Sequence, residues 1–282
     1  MTGATVGAIL KAAGERIGAV DARVLLCHVL DRDGAYLAAH PEARLQPADT
    51  ARYAELVKRR IAGEPVAYLT ERREFYGRLF RVSPAVLIPR PETELLVDLA
   101  LQRLPRDDGA DVLDLGTGSG CIGISIASER SHLTILAVDQ SVAALTLAER
   151  NAVDHDVANV AFLESDWFSA LRPADHFDMI VSNPPYVAAG DPHLESGDLR
   201  FEPRQALTAG SDGLDAIRTI VAGAVRHLRR GGWLLLEHGY TQAESVRTLL
   251  ARSGYDAVFS ARDISGIERV TGGRLTPPVP HR

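Results

Sequence analysis

The segment from Asp111 to Gly123 constrains the fold more than any other. Val112-Leu113-Asp114-Leu115 is a short apolar run, Gly116-Thr117-Gly118-Ser119-Gly120 a glycine-rich turn, and Cys121-Ile122-Gly123 a helix start. A strand passing through a tight turn into a helix opens a βαβ unit, with backbone N–H groups gathered at the helix N-terminus. The alternation then repeats. Strands are predicted near 111–115, 133–138, 159–164, 177–182 and 232–238, and helices near 120–130, 141–153 and 213–229. A helix near 241–252 and strands near 255–260 and 267–272 follow. This pattern predicts an α/β domain, a Rossmann-like sheet of about seven mostly parallel strands with helices on both faces.

The residues before it read differently. Up to about Glu64 the apolar spacing is helical, with segments opening at Val6, running Ala22–Leu30, touching Tyr36-Leu37 and spanning Asp49–Ile61. Gly63 and Pro65 stop the last of these. Val66-Ala67-Tyr68-Leu69 and the alternating Glu74–Val82 are expected to pair as a hairpin. Pro91, Glu92 and Glu94 suit a helix start, running to about Leu104. The expected organisation is a helical-bundle domain over 1–73, a β-hairpin and linker over 74–90, and the α/β domain over 91–282.

Composition limits the partners. The chain has 282 residues, 46% of them hydrophobic, and a net charge of -6. It has the core of a globular protein but no footprint for strong DNA binding. Two distant cysteines, Cys27 and Cys121, form no metal-ligand spacing. No signal-peptide pattern and no membrane-length apolar run is visible, so a cytoplasmic monomer with no metal and no membrane contact is expected. The proline-rich stretch over 276–282 is expected to be loosely held.

Candidate site residues cluster after the strands. Gly116, Thr117, Gly118, Ser119 and Gly120 would cradle a cofactor, although Gly118, Gly120 and Gly123 alone make a weak G-x-G-x-x-G match. Asp139 ends the second strand, where a carboxylate can accept both ribose hydroxyls, unless it merely caps the next helix in competition with Ser141. A nicotinamide dinucleotide and S-adenosylmethionine both fit these features. Asp114 favours the latter, since a carboxylate there repels a pyrophosphate but accepts from an ammonium. Asp166 and Trp167 would form an adenine wall, the one accepting from the exocyclic amine and the other offering a flat face. Packing alone would also account for the tryptophan.

Asn183-Pro184-Pro185-Tyr186 follows the apolar run Phe177–Ser182. The prolines remove two N–H donors and leave carbonyls that only accept. With an amide oxygen and an aromatic face alongside, this is a cradle for a planar NH2 group, although the same residues fit an ordinary turn.

These motifs resemble the HemK family, the peptide chain release factor glutamine methyltransferases. The likeness rests on Asp114 to Gly120, Asp139, the Asn-Pro-Pro-Tyr run and Ile88-Pro89-Arg90-Pro91-Glu92-Thr93-Glu94. It continues through Phe75-Tyr76-Gly77, Glu202-Pro203, Asp212-Gly213-Leu214, Glu237-His238-Gly239 with Gln242, and Asp263. It implies a class I S-adenosylmethionine-dependent methyltransferase with S-adenosylhomocysteine as product. The implied acceptor is the glutamine N5 of the Gly-Gly-Gln motif in class I release factors. Asn183, which also borders the cofactor, and the Pro184 carbonyl would accept the two substrate N–H bonds, with Tyr186 stacking on the amide. Residues 187–211 would cover the glutamine, and the helical domain would read the rest of the factor. The alternatives are a ribosomal-protein glutamine, adenine in nucleic acid, a nicotinamide-dependent oxidoreductase, or a non-catalytic S-adenosylmethionine-binding module.

Overall fold

The computed structural model describes residues 4–276, so the tail expected to be loose lies beyond the described residues apart from Thr276. Two compact units emerge. One takes in the residues up to Arg72 together with His193–Phe201; the other takes in Arg73–Pro192 and everything from Glu202 onward.

The first unit is a bundle of α1 (Val6–Ile17), α2 (Ala19–Leu30), α3 (Gly34–Ala39), α4 (Pro47–Ile61) and α5 (Val66–Thr70). Thr5 and Asp33 cap α1 and α3 through their side-chain oxygens. Leu25, Leu26, Leu37, Leu56 and Leu69 meet in its core, and the buried Tyr53 hydroxyl donates to the Ala22 carbonyl at 2.9 Å. The helix α5 corrects the expectation that Val66–Leu69 is a strand. Pro65 sits at its N-cap, its carbonyl accepts from Tyr68 and Leu69, and the Thr70 hydroxyl bonds back to Val66. Four apolar residues in a row suit either structure, and burial of Leu69 against the bundle decides for a helical turn.

The second unit opens with a hairpin of β1 (Arg72–Phe75) and β2 (Arg78–Arg81). Its turn is Tyr76-Gly77, both at positive φ, as a two-residue hairpin turn requires. Phe75 and Phe80 are fully buried, so the hairpin is part of this unit's core. A 3-10 turn at Pro91–Thr93 leads into α6 (Glu94–Arg103). There follow β3 (Asp111–Leu115), α7 (Cys121–Glu129), β4 (Thr134–Asp139), α8 (Val142–Asp154), β5 (Val160–Glu164) and β6 (Phe177–Ser182). Then come α9 (Asp215–His227), β7 (Leu228–Glu237), α10 (Ala243–Arg252), β8 (Tyr255–Arg262) and β9 (Glu268–Leu275).

The strands form one sheet in the order β5-β4-β3-β6-β7-β9-β8, parallel from β5 to β7 and antiparallel for the last pairings. Two apolar layers flank it, one around Leu96, Ile124 and Ile135, the other around Leu113, Ile217 and Leu234. Strand β7 begins earlier than predicted. Gly231 and Gly232 lie inside it and carry the strand across a register shift opposite Phe177–Met179. Chain order reverses between β3 and β6, and a ligand cleft is expected beyond their carboxyl ends. No helix among the described residues is long and apolar enough to cross a membrane.

Candidate active site

A cleft opens there. The turn after β3 lines it with Gly116, Thr117, Gly118 and Ser119; β4 contributes Asp139; the loop after β5 contributes Asp166 and Trp167; and the chain leaving β6 contributes Asn183 and Pro185. Gly120 lies at the N-cap of α7, at φ +81°, where an added Cβ would fall 2.6 Å from Ile124 and 3.1 Å from Ala148. Only glycine permits this close seating of helix on turn. Trp167 packs near Gly116, whose Cβ would meet its ring at 3.6 Å.

Two carboxylates frame the turn. Asp139 accepts from Gly118 N through Oδ2 and from Ser141 N through Oδ1, both at 2.9 Å. Ser141, not Asp139, caps α8. Each Asp139 oxygen keeps a second lone pair, and the residue lines the cleft. Asp114 is fully buried. Its Oδ2 accepts from the Thr117 hydroxyl at 2.7 Å and from Gly123 N at 3.0 Å, while its Oδ1 is buried without a partner. Burial pushes the Asp114 carboxyl up to about 6, against the Thr117 and Gly123 hydrogen bonds that favour its charge.

The Asn-Pro-Pro-Tyr run is pinned from several sides. The buried Ser182 hydroxyl donates to Leu115 carbonyl at 2.7 Å and locks β6 to β3 one residue earlier. Asn183 Nδ2 donates to Thr93 Oγ1 at 3.1 Å, and Asn183 Oδ1 is buried with no partner. Pro184 is buried. Tyr186 does not line the cleft. Its hydroxyl lies 3.4 Å from Glu237 Oε1, and its carbonyl accepts from Gln242 Nε2 at 3.0 Å. A half-buried phenol gains from a polar partner, and Glu237 at the end of β7 supplies it. These two contacts anchor the loop.

The remaining motif residues reach the same place through long sequence separations. Arg90 pairs with buried Glu202, which also accepts from Ile88 N at 3.1 Å. Glu94 accepts from Tyr76 N at 2.9 Å. Gln242 accepts from Gly239 N at 2.8 Å while donating to Tyr186. Residues 187–211 carry three 3-10 turns and a bridge between Val187 and Thr208. Pro203, Gln205 and Ala206 line the cleft. His193–Phe201 belongs instead to the helical unit, where Asp198 pairs with Arg60 at 3.2 Å and Arg200 donates to the Ala62 carbonyl at 2.6 Å.

Comparison with known proteins accounts for both units. Residues 5–70 match the family described as PrmC N-terminal domain, and residues 93–198 match Methyltransferase small domain. A release factor glutamine methyltransferase of Xylella fastidiosa is 53% identical over 95% of this chain and 97% of its own length. The protein of that name from Burkholderia pseudomallei is 53% identical over 96% of each chain. The chain belongs to the release factor glutamine methyltransferase family. The solved structure of a methyltransferase from Pyrococcus furiosus, 14% identical, matches with a TM-score of 0.54 over 79% of this chain and 100% of its own. At that identity it speaks for the fold alone, whose α/β sheet is the one expected from the strand pattern.

In this methyltransferase, Thr93 and Glu237 are site neighbours to which sequence reasoning assigned no role. Both lie inside motifs that carry the family resemblance, which was the available signal. Val86 and Gln205 also line the cleft, and neither carried any. Glu237 is 1% exposed, and burial pushes its carboxyl up to about 7, opposed by Thr93, Tyr186 and Arg269. A carboxyl raised in the folded state binds more protons there than in the unfolded chain. It therefore destabilises the fold as pH rises from about 4.5 to 7. Glu237→Gln removes that effect. Urea unfolding should show the variant gaining up to about 3 kcal/mol on the parent between pH 5 and pH 8. A pH-independent difference would remove Glu237 as a buried titrating group.

Proposed function

We propose that this enzyme transfers a methyl group from S-adenosylmethionine to the side-chain amide nitrogen, N5, of a glutamine. The substrate is the Gly-Gly-Gln motif of class I peptide chain release factors, and the product is S-adenosylhomocysteine. The observation that carries the reading is Asn183 Oδ1, a buried acceptor with no partner, on a residue that lines the cleft. An amide NH2 supplies the missing donor. The names of the relatives supply the class of substrate.

The residues present fit the cofactor. Asp114 Oδ1, buried and unpartnered, suits an ammonium, directly or through water. Asp139 keeps lone pairs for ribose hydroxyls, and Asp166 and Trp167 offer an acceptor and a flat face for adenine. When bound, the cofactor supplies an electrophilic methyl group. The protein's task is then to make a poor nucleophile reactive. Asn183 Oδ1 and the Pro184 carbonyl accept the two N–H bonds of the substrate amide and hold both hydrogens on one side. The nitrogen lone pair is thereby freed from the carbonyl and directed at the methyl group. Positive charge builds on nitrogen as the N–C bond forms, so these neutral acceptors bind the transition state more strongly than the ground state. The amide proton leaves after transfer, which requires no general base beforehand. Pro203, Gln205 and Ala206 help to close the site over the glutamine, and the helical unit contacts the body of the factor. A substrate of this kind makes the cytoplasm the place of action.

The test is transfer from methyl-labelled S-adenosylmethionine to a purified release factor, to that factor with its Gly-Gly-Gln glutamine replaced, and to duplex DNA. Label should appear on the intact factor only. Label on DNA, or on nothing while the donor still binds, would overturn the assigned substrate.

A further inference from the structure

An asparagine amide can face its surroundings either way round, and only one orientation presents an acceptor to a substrate NH2 group. Glu237, at the end of β7, is buried, and its Oε1 lies 3.4 Å from the hydroxyl of Tyr186, which belongs to the same loop as Asn183. Thr93 Oγ1 accepts from Asn183 Nδ2 at 3.1 Å, which turns the amide nitrogen towards Thr93 and the amide oxygen away from it. The oxygen is left buried and unpartnered on a cleft-lining residue.

We propose that Thr93 and Glu237 are positioning residues, Thr93 fixing the orientation of the Asn183 amide and Glu237 holding through Tyr186 the loop that carries it, so that Oδ1 faces the acceptor nitrogen. This rests on the reading of Asn183 as the substrate acceptor. Neither residue touches the transferred group; each acts through another side chain. Thr93 is 1% exposed in the 3-10 turn Pro91–Thr93, so valine replaces it in nearly the same volume while removing the acceptor. Serine restores the hydroxyl. In Glu237→Gln the new amide can itself donate, so the direction of the Tyr186 hydroxyl proton is no longer imposed.

The experiment measures kcat and KM on a purified release factor, the dissociation constant of S-adenosylmethionine and the urea midpoint for the parent, Thr93→Val, Thr93→Ser, Glu237→Gln and Asn183→Ala. Thr93→Val should lower kcat by about 10- to 100-fold, the usual effect of removing an orienting partner. Cofactor binding and the urea midpoint should be retained. Thr93→Ser should recover most of the loss. Glu237→Gln should lower kcat while being more stable than the parent at pH 8, a combination that mere structural support does not produce. Parental kcat in both Thr93→Val and Glu237→Gln, with Asn183→Ala inactive, would overturn the positioning role and leave the substrate reading intact. Losses that follow weakened cofactor binding or a lower urea midpoint would also overturn it, because the residues would then be structural. If the parent itself transfers nothing to the factor, both readings fall together.

Discussion

Asn183→Ala should lower turnover on a release factor by about 10²- to 10³-fold, the cost of deleting one preorganised partner of a developing charge. The magnitude follows from where the acceptor acts. A ground-state amide nitrogen is planar and nearly uncharged, so it gains little from Oδ1. In the transition state its N–H bonds are polarised, and a buried acceptor that needs no reorganisation gains strength. The loss should therefore fall on kcat, with KM for the factor and the cofactor dissociation constant little changed. Asn183→Asp is informative beside it, since a carboxylate keeps the acceptor but loses the Nδ2 donation to Thr93. Single-turnover kinetics with cofactor pre-bound separates the chemical step from binding. Near-parental turnover in Asn183→Ala would remove the amide cradle from the mechanism.

Gly213→Ala should be the most damaging conservative change outside the cleft. Gly213 sits at φ +74°, and a Cβ there would come within 2.2 Å of the Tyr186 carbonyl oxygen and 2.8 Å of Gln242 Nε2. The nearest atom is backbone and cannot rotate away. Relief must come either from the turn before α9 or from the Asn-Pro-Pro-Tyr loop. Positive-φ strain and overpacking together should cost about 2–4 kcal/mol in urea unfolding. Where the loop yields, Tyr186 moves with it, so turnover should also fall at temperatures where the variant is fully folded. Gly190→Ala is the control, since a Cβ there meets nothing within 4 Å. Equal urea midpoints for the two variants would mean that the turn is not packed against the loop.

These predictions divide along the line between local and long-range information. The strand–turn–helix alternation from Asp111 is a local pattern of apolar periodicity and glycine placement, and it was enough for the sheet, its helices and the position of Asn183 just past β6. The glycine turn, Asp139, Trp167 and Asn183 were legible for the same reason: in a parallel sheet every strand delivers its next residues to one edge. Boundaries were less legible where one residue type serves two purposes. Gly231 and Gly232 lie at an irregularity inside β7, and Val66–Leu69 suits helix and strand alike until Leu69 is buried.

What only the tertiary structure decided is partnership. Thr93 and Asn183 are 90 residues apart, Tyr186 and Glu237 51, and Arg90 and Glu202 112. No periodicity links such positions, because side-chain hydrogen bonds depend on how the sheet, α6 and the loops pack. The same holds for His193–Phe201, whose sequence is an irregular loop and whose contacts belong to the helical unit. The sequence alone determined that an asparagine amide stands at the mouth of an α/β sheet. Its partner Thr93, and the Glu237 that meets Tyr186 when β7 lies beside β6, are brought to it by tertiary packing alone.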